Sequence, residues 1–484
     1  MRDIIKKDIN SVGNKQQSMA LPWFLASSFL TTFFTLWTFG GSVFLLFLNE
    51  LGLPKNQIGA ALALFPFCGV IALGFAPLAL RWGWKRTYLV CYGSRNVVMA
   101  LLLLLPCVLS AAGHVAGVFL VFGVLVVFAL LRALAETAYY PWEQEIIPNR
   151  VRGRIAGIST AMVAVASGLA LWVAGGVIEN RTGLMRFLAL IAAGCVLGVS
   201  GVLAMAKVPG GSPHRDSMAD GMHWAKMLQA LRDLNFVAYL GGRGCVTIGV
   251  LLFTSFLPLY VKEQLGVSSR TVVGLDVVVM AGGALAGLVL GWATDHVGSR
   301  PVLMPAAAMA VLVPIGWLLL PRQISHATAW CSALYFLNGV SASGVAIAAN
   351  RLLFNGVIPP EHKMAYTSIY YAWLGITGGL SPLLAGALLT ACGGWKMRVG
   401  VLLVDGNSLL FLGATLFLAF GWWLYGRVRR DGSYTTRSVL RKLPLFRPLY
   451  FALVFLKHLA VTAQALIGLR RRSVKHVVGE LAQN

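Results

Sequence analysis

Twelve apolar stretches dominate this chain of 484 residues, and each is long enough to cross a lipid bilayer. A membrane-spanning helix needs about 20 mostly apolar residues. The chain is 58% hydrophobic and only 12% charged, so it has far more apolar surface than one soluble core can bury. The sequence therefore predicts an all-α polytopic membrane protein with spans at residues 21–48, 58–80, 87–110, 115–141, 155–178, 186–206, 236–260, 271–293, 301–320, 327–354, 365–390 and 405–426.

The positive charge predicts how these spans are oriented. The chain has 40 Lys and Arg against 17 Asp and Glu, a net charge of +23, and most of the excess lies in alternate loops and in the tail. Cytoplasmic loops carry such an excess, so we expect a multi-pass protein of the cell (inner) membrane with both termini in the cytoplasm. Because the charge follows the loops and no nucleic-acid-binding motif occurs, we expect no nucleic-acid partner.

Two polar segments define the expected domains. A Pro- and Gly-containing linker separates two halves of six spans, and a basic tail follows the last span. The tail contains an apolar stretch at residues 448–469, which Lys457 and His458 interrupt. We expect it to form an amphipathic helix on anionic inner-leaflet lipid instead of a thirteenth span, since a span would place basic residues outside. The predicted parts are a cytoplasmic segment 1–20, a six-helix bundle 21–207, a linker 208–235, a second bundle 236–428 and a tail 429–484.

Matched residues indicate that the two halves are repeats. Gly59 and Gly83 are 24 residues apart, and so are Gly274 and Gly298. A Leu-Gly pair precedes both the second and the eighth span, and an Ile-Pro pair follows both the fourth and the tenth. Four matches in the same order favour internal duplication over coincidence.

A loop motif follows the eighth span. Gly291, Asp295, Gly298 and Arg300 give the pattern G-x-x-x-D-x-x-G-x-R. Gly298 permits a tight turn, and Gly291 permits close helix approach. Asp295 can accept a hydrogen bond from a neighbouring helix N-terminus and pair with Arg300.

The first half carries a weaker copy of this loop. Arg81, Gly83, Lys85 and Arg86 keep the glycine and the basic residues, whereas Leu80 replaces the acid. These basic residues can bond helix-end carbonyl groups or nearby acids, or can simply mark an inside loop.

With twelve spans, a 6+6 repeat and this loop, the chain resembles the major facilitator superfamily over about residues 20–428. The resemblance implies two six-helix bundles around a central cavity, lined by spans 1, 4, 7 and 10, and alternating access by rocking. It also implies that the loop latches the cytoplasmic side in the outward-facing state. The glycine–proline motif that the family's antiporters carry in span 5 is absent.

Ionisable side chains inside spans are candidate functional groups, because each costs at least about 2.5 kcal/mol there. Arg132 and Glu136 lie on one face of span 4, which Tyr139 continues. They can form an internal ion pair, or a proton site in which the arginine tunes Glu136. On the family pattern span 3 is peripheral, which favours a structural role for Arg95, and Asp276 lies near the outer end of span 8, where it can be a hydrated end residue.

Arg243 and Arg351 point to an anionic solute. No acid in the same helix neutralises either residue, and a guanidinium binds a carboxylate or phosphate through two hydrogen bonds. On the family pattern their spans line the cavity, together with Asn350 and Trp37. Snorkelling or pairing with Asp276 or Glu136 is the alternative. A threonine stripe in span 1 can face the cavity or bond backbone carbonyls.

No Walker loop, nucleophile motif or metal-ligand spacing occurs, so we expect neither an enzyme nor a cofactor or metal. We expect a secondary active transporter of a small organic solute, favoured to be anionic, working by alternating access as a monomer, with proton coupling as one option. The alternatives are an exporter of amphipathic or drug-like compounds, a lysolipid or lipid flippase, and a receptor or enzyme that reuses the scaffold.

Overall fold

The computed structural model describes residues 15–73, 82–146, 152–180, 183–212, 229–321, 326–359, 363–399 and 402–429. A short 3₁₀ turn at Leu101–Leu104 and a π turn at Leu353–Val357 accompany the longer elements. The helices and strands are α1 Lys15–Thr38, α2 Gly41–Glu50, α3 Lys55–Leu73, α4 Trp84–Ala100, α5 Leu105–Ile146, α6 Arg152–Asn180, α7 Met185–Ala206, α8 Leu234–Thr254, α9 Leu257–Glu263, α10 Ser269–Val297, α11 Ser299–Leu319, α12 Ala327–Leu352, α13 Lys363–Ala391, β1 Lys396–Val399, β2 Leu402–Asp405 and α14 Gly406–Tyr425.

The predicted membrane fold is confirmed. Ten helical segments within the described residues are long and apolar enough to cross a membrane. One of them, Trp84–Tyr139, covers the predicted third and fourth spans, which separate at the positive φ of Gly113 (81°). Helix α3 corresponds to the second span, and the predicted end of that span lies outside the described residues. The predicted tail helix also lies outside them.

Two of the predicted spans are broken at matched places. The first divides into α1 and α2 at Gly40 and Gly41, and Gly41 has a φ of 64°, which favours glycine. The seventh divides into α8 and α9 at Ser255 and Phe256. Each break starts a new helix inside an apolar stretch and leaves a helix N-terminus there.

The helix pairing within and between bundles follows the repeat. Helix α1 packs on α7, as α8 packs on α14, and α4 packs on α5, as α11 packs on α12. The bundles meet mainly through two pairs, α3 with α13 and α6 with α10, and α2 makes smaller contacts with α9 and α10. The internal repeat relates these two pairs to each other, since α3 of the first half corresponds to α10 of the second, and α6 corresponds to α13.

Small residues bring α3 and α13 close together. A methyl group added to Gly59 would overlap the carbonyl oxygen of Pro382 and would lie 3.2 Å from the Cα of Gly386. Gly379 lies against the ring of Phe67 in the same way. Close backbone approach through small residues is a common way for helices to associate in lipid. Pro382 lies inside α13, which continues through it to Ala391.

Candidate functional site

A cavity of about 250 Å³ lies on the inner face of the first bundle. Helices α1, α4, α5, α6 and α7 supply most of its wall, and Met280 of α10 contributes from the second bundle. Its polar groups are almost all hydroxyls, from Ser27, Ser28, Thr31, Thr32, Thr35, Tyr88, Tyr92, Tyr139 and Ser167.

One wall of the cavity is a hydroxyl stripe on α1. Ser28, Thr31, Thr32 and Thr35 share a face because helical side chains three or four residues apart are neighbours. The Ser28 hydroxyl donates to the carbonyl of Phe24 (3.1 Å), and the Thr32 hydroxyl donates to the carbonyl of Ser28 (2.8 Å). These hydroxyl oxygens keep lone pairs that can accept from a bound solute.

The facing wall is aromatic. Tyr88 and Tyr92 stack with their ring centroids 4.5 Å apart, and Tyr139 lies nearly parallel to Phe24 at 6.5 Å. Such a wall combines flat apolar faces with phenol groups. The cavity therefore suits a solute with an apolar ring face and several polar edges.

A positive charge lies directly behind this aromatic wall. The guanidinium carbon of Arg95 is 3.2 Å from the centroid of the Tyr92 ring, and the Arg95 side chain is 1% exposed. Within the described residues its Nε and Nη2 atoms have no hydrogen-bond partner. The structural role expected for Arg95 followed from the family pattern, in which span 3 is peripheral, and the sequence of span 3 does not reveal which helices pack against it.

Arg132 and Glu136 form an ion pair of 2.8 Å, with side chains 30% and 38% exposed. The guanidinium of Arg132 also lies 5.0 Å from the ring centroid of Phe39. Neither residue is on the cavity wall, although both lie on α5 within two turns of Tyr139, which is on it. The predicted pairing of these two charges is therefore present beside the cavity.

The predicted residues of the second bundle form a separate cluster. Arg243 interacts electrostatically with Tyr425, Tyr370 and Tyr239. The Tyr370 hydroxyl donates to Oδ1 of Asn350 (3.2 Å), the neighbour of Arg351 on α12. These groups lie outside the 250 Å³ cavity wall.

Trp37 packs against α6, outside the cavity wall. Its indole nitrogen donates to the carbonyl of Ala170 on α6 (2.8 Å), and the side chain is 7% exposed. Of the six cavity residues expected from the sequence, Tyr139 alone lies on this cavity's wall.

The glycine loops tie helices within each bundle. Gly83 and Gly298 have φ values of 88° and 91°. After the first, Lys85 Nζ donates to the carbonyl of Val208 (2.7 Å), just beyond α7. After the second, Arg300 donates to the carbonyl of Val428 (3.0 Å) and to that of Gly426, just beyond α14.

Other parts of the loop prediction differ from the structure or lie beyond it. Among the described residues, a methyl group at Gly291 meets no atom within 4 Å. The expected close helix approach at Gly291 is therefore not seen among the described residues. Arg81 and the side chain of Asp295 lie outside the described residues.

Polar contacts join the bundles at the end opposite to Gly83 and Gly298. We name it the outer end, because the charge rule predicts that it faces away from the cytoplasm. Lys55 pairs with Glu263 (2.8 Å), and Arg270 pairs with Glu179 (2.5 Å). Asp276 of α10 accepts two hydrogen bonds from Ser42 of α2. The bundles are thus in contact across this end, and the sequence reasoning missed the contact of Asp276.

Metal binding has no support in the described part of the chain, where no group of three or more His, Cys, Asp or Glu side chains could hold an ion.

Comparison with known proteins gives one family and one fold. The family model of the Major Facilitator Superfamily matches residues 25–355 and 239–469. No curated protein matches the chain. Among solved structures, the chain is similar to a D-xylose-proton symporter (13% identity, 86% of this chain and 98% of that one, TM-score 0.65). It is also similar to the nucleoside transporter NupG, with 14% identity over 86% of this chain and 100% of that one and a TM-score of 0.61. A bacterial homologue of the lysosomal transporter Spinster has 14% identity over 89% of this chain and 99% of that one, with a TM-score of 0.59.

Proposed function

The chain belongs to the major facilitator superfamily and is a multi-pass membrane transporter, and we propose that it carries a small hydroxylated organic anion by alternating access. The substrate site is the cavity between the α1 hydroxyl stripe and the tyrosine wall. It works as a symporter or antiporter in the cell membrane, with both termini in the cytoplasm.

The observation that carries this proposal is the composition of the cavity wall. Six Ser and Thr hydroxyls and three phenols surround a space large enough for a small solute. A sugar-like or nucleoside-like molecule presents matching hydroxyls and one flatter apolar face. Two of the similar structures are named as a nucleoside transporter and a D-xylose symporter, which agrees with such a solute.

The anionic character rests on the charges near the cavity. Arg95 and Arg132 supply two positive charges in the first bundle, and Glu136 neutralises one of them. An anionic group on the solute would compensate the remaining charge in a poorly hydrated interior, where charge interactions are strong.

The pair of Arg132 with Glu136 supplies a coupling step in this proposal. An anionic group that binds Arg132 competes with Glu136 for the same guanidinium. In the proposed cycle a proton binds the released carboxyl group and moves together with the solute. Glu136 is thereby the proposed proton-coupling residue, and Arg243, Asn350 and Arg351 are a proposed second contact region in the other bundle.

The test is thermal stabilisation of the purified protein by a panel of solutes. The panel contains sugar acids and sugar phosphates, neutral sugars and nucleosides, lipophilic cations, and lysolipids. A ligand at 100 times its dissociation constant adds about 2.7 kcal/mol of stability. We expect hydroxylated anions to raise the melting temperature most, whereas stabilisation by lysolipids or lipophilic cations alone would favour the flippase or exporter.

A matched pair of variants locates the site. Thr35→Val removes a hydroxyl on the cavity wall, and Thr38→Val removes a buried hydroxyl that bonds the carbonyl of Phe34 outside it. We expect Thr35→Val to weaken ligand binding about five- to tenfold, the loss for one hydrogen bond of about 1 kcal/mol. Equal effects of the two variants on ligand affinity would place the site elsewhere.

A further inference from the structure

Asp276 connects the two bundles at the outer end. It lies on α10 of the second bundle, and its Oδ2 accepts from the backbone N–H of Ser42 (2.9 Å) while its Oδ1 contacts the Ser42 hydroxyl (3.0 Å). Ser42 is in the first turn of α2, directly after the break in the first span. Both carboxyl oxygens of a membrane-embedded acid therefore face one residue of the opposite bundle.

Gly41 allows this close approach. A methyl group at this position would lie 2.9 Å from Oδ2 of Asp276, and the φ of Gly41 is 64°. Only glycine satisfies both the spacing and the backbone conformation without strain. The break in the first span thus forms a binding site for the carboxyl group of Asp276.

The described acidic side chains on the elements packed against α10 pair with residues other than Asp276. On the elements packed against α10, Glu179 pairs with Arg270, Glu263 pairs with Lys55, and Glu50 pairs with Arg186. Among the side chains that the structure describes, the other titratable or charged groups of these elements are Tyr335, which interacts electrostatically with Asp276, together with Cys331, Lys262, Tyr260, Arg300 and Arg351. Among the described residues no cation forms an ion pair with Asp276.

Closing the outer end therefore removes water from an acid that has no countercharge. An ionised carboxylate loses more favourable hydration on burial than a neutral carboxyl group does. The N-terminus of α2 favours the ionised form, but a helix terminus offsets only part of the hydration that a buried ion loses. Closure thus favours a proton on Asp276.

Ser42 can accommodate that proton. Its hydroxyl can donate to an ionised Oδ1 or accept from a protonated one, because a hydroxyl is both donor and acceptor. The backbone N–H of Ser42 bonds Oδ2 in either case. The neutral acid keeps both contacts with α2.

We propose that Asp276 is a proton-binding site that controls the outer end: a proton on its carboxyl group favours the closed contact with Ser42, and loss of the proton favours separation of the bundles. The site is distinct from Glu136, and it acts whatever solute the protein carries. Because a ligand bound more tightly by one conformation shifts the population toward it, acid closes this end and alkali opens it.

The test measures the outer-end distance against pH without any solute. Spin labels are placed at Ala112→Cys and Met397→Cys, which are exposed positions near that end in the two bundles, in a variant that lacks the seven native cysteines. Double electron–electron resonance in lipid nanodiscs measures the distance between the two labels and gives the ratio of open to closed populations at pH 5 and pH 8. We expect this ratio to rise about tenfold in the parent, the change for a tenfold difference in proton affinity between the two states.

Three variants decide the outcome. Asp276→Asn keeps a donor and an acceptor for Ser42 without a charge, so it should stay closed at both pH values. Glu263→Gln removes another acid that joins the two bundles at the outer end, and this variant should keep the pH response. Ser42→Ala should raise the open population at pH 5, and it provides a test if Asp276→Asn fails to fold.

The proposal is overturned if the parent shows no response to pH, or if Asp276→Asn opens the outer end, since an ionised latch would predict opening. It is also overturned if Asp276→Asn responds to pH as the parent does, or if Ser42→Ala leaves the ratio at pH 5 unchanged. These results are independent of the solute panel, so the proposed transport function can fail or stand separately.

Discussion

Gly83 and Gly298 have nearly the same backbone conformation at matched positions of the two halves. Their φ and ψ values are 88° and 142°, and 91° and 167°. Residues with a side chain rarely adopt this region. Each glycine starts a helix whose basic residue, Lys85 or Arg300, then bonds carbonyl groups beyond the last helix of its own bundle. The turn therefore positions the basic residue.

Gly298→Ala tests the role of this turn. We expect it to lower the free energy of unfolding by about 1–3 kcal/mol, the strain of a side chain in this backbone region. Gly291→Ala, seven residues earlier on α10, is the control, because a methyl group there meets no described atom within 4 Å. Melting temperatures in detergent should fall for the first variant and remain near the parent for the second. An equal fall in both would contradict this role.

Arg95 gives a second prediction at this scale. Arg95→Gln removes the positive charge behind Tyr92 while keeping a polar side chain. We expect the affinity for an anionic solute to fall about tenfold or more, or at least about 1.4 kcal/mol, while a neutral analogue binds unchanged. Arg270→Gln, which changes an arginine at the outer end, serves as the control. Parallel losses for anion and neutral analogue would assign Arg95 to folding alone.

At the scale of helices, span positions could be predicted from apolar length, and the repeat from matched glycines. The break between α1 and α2 was missed, because residues 21–48 form one uncharged stretch and Gly40-Gly41 is the main local signal. The residues that line the 250 Å³ cavity were predicted only in part, through Tyr139 and the threonine stripe of span 1. Arg243 and Arg351 are conspicuous in the sequence as charges inside spans. The helices that surround them, however, are determined by packing between distant segments. The hydroxyls of α1 carry no charge and stood out less.

The contact between α3 and α13 gives a prediction for helix packing. Gly59→Ala places a methyl group against the carbonyl of Pro382, so the helices must separate. We expect a loss of stability of about 1–3 kcal/mol, as for other overpacked contacts, and more open outer ends in the spin-label assay. Gly69→Ala on the same helix meets no described atom within 4 Å and should leave both measurements unchanged. Equal behaviour of the two variants would contradict close packing at Gly59.

For the whole molecule, the positions of the polar contacts define how the bundles can move. Three contacts join the bundles at the outer end, through Asp276, Lys55 and Arg270. Exposed ion pairs contribute only about 0–1 kcal/mol each. Such contacts can break and re-form during a cycle without separating the helix pairs that pack within each bundle, α1 with α7 and α8 with α14. Rocking of two rigid bundles about the cavity is the motion that this arrangement permits.

A reversible cross-link tests that motion. Lys55→Cys with Glu263→Cys, in the variant without native cysteines, allows a bifunctional reagent to join the bundles at the outer end. Because alternating access requires this end to open, we expect the cross-link to abolish uptake of the solute identified by thermal stabilisation, and a reductant that cleaves the reagent to restore it. Glu50→Cys with Arg186→Cys places the same link within the first bundle, where it should leave uptake intact. Continued uptake with the outer end fully cross-linked would exclude bundle rocking as the transport step, while loss of uptake with both links would point to damage by the reagent.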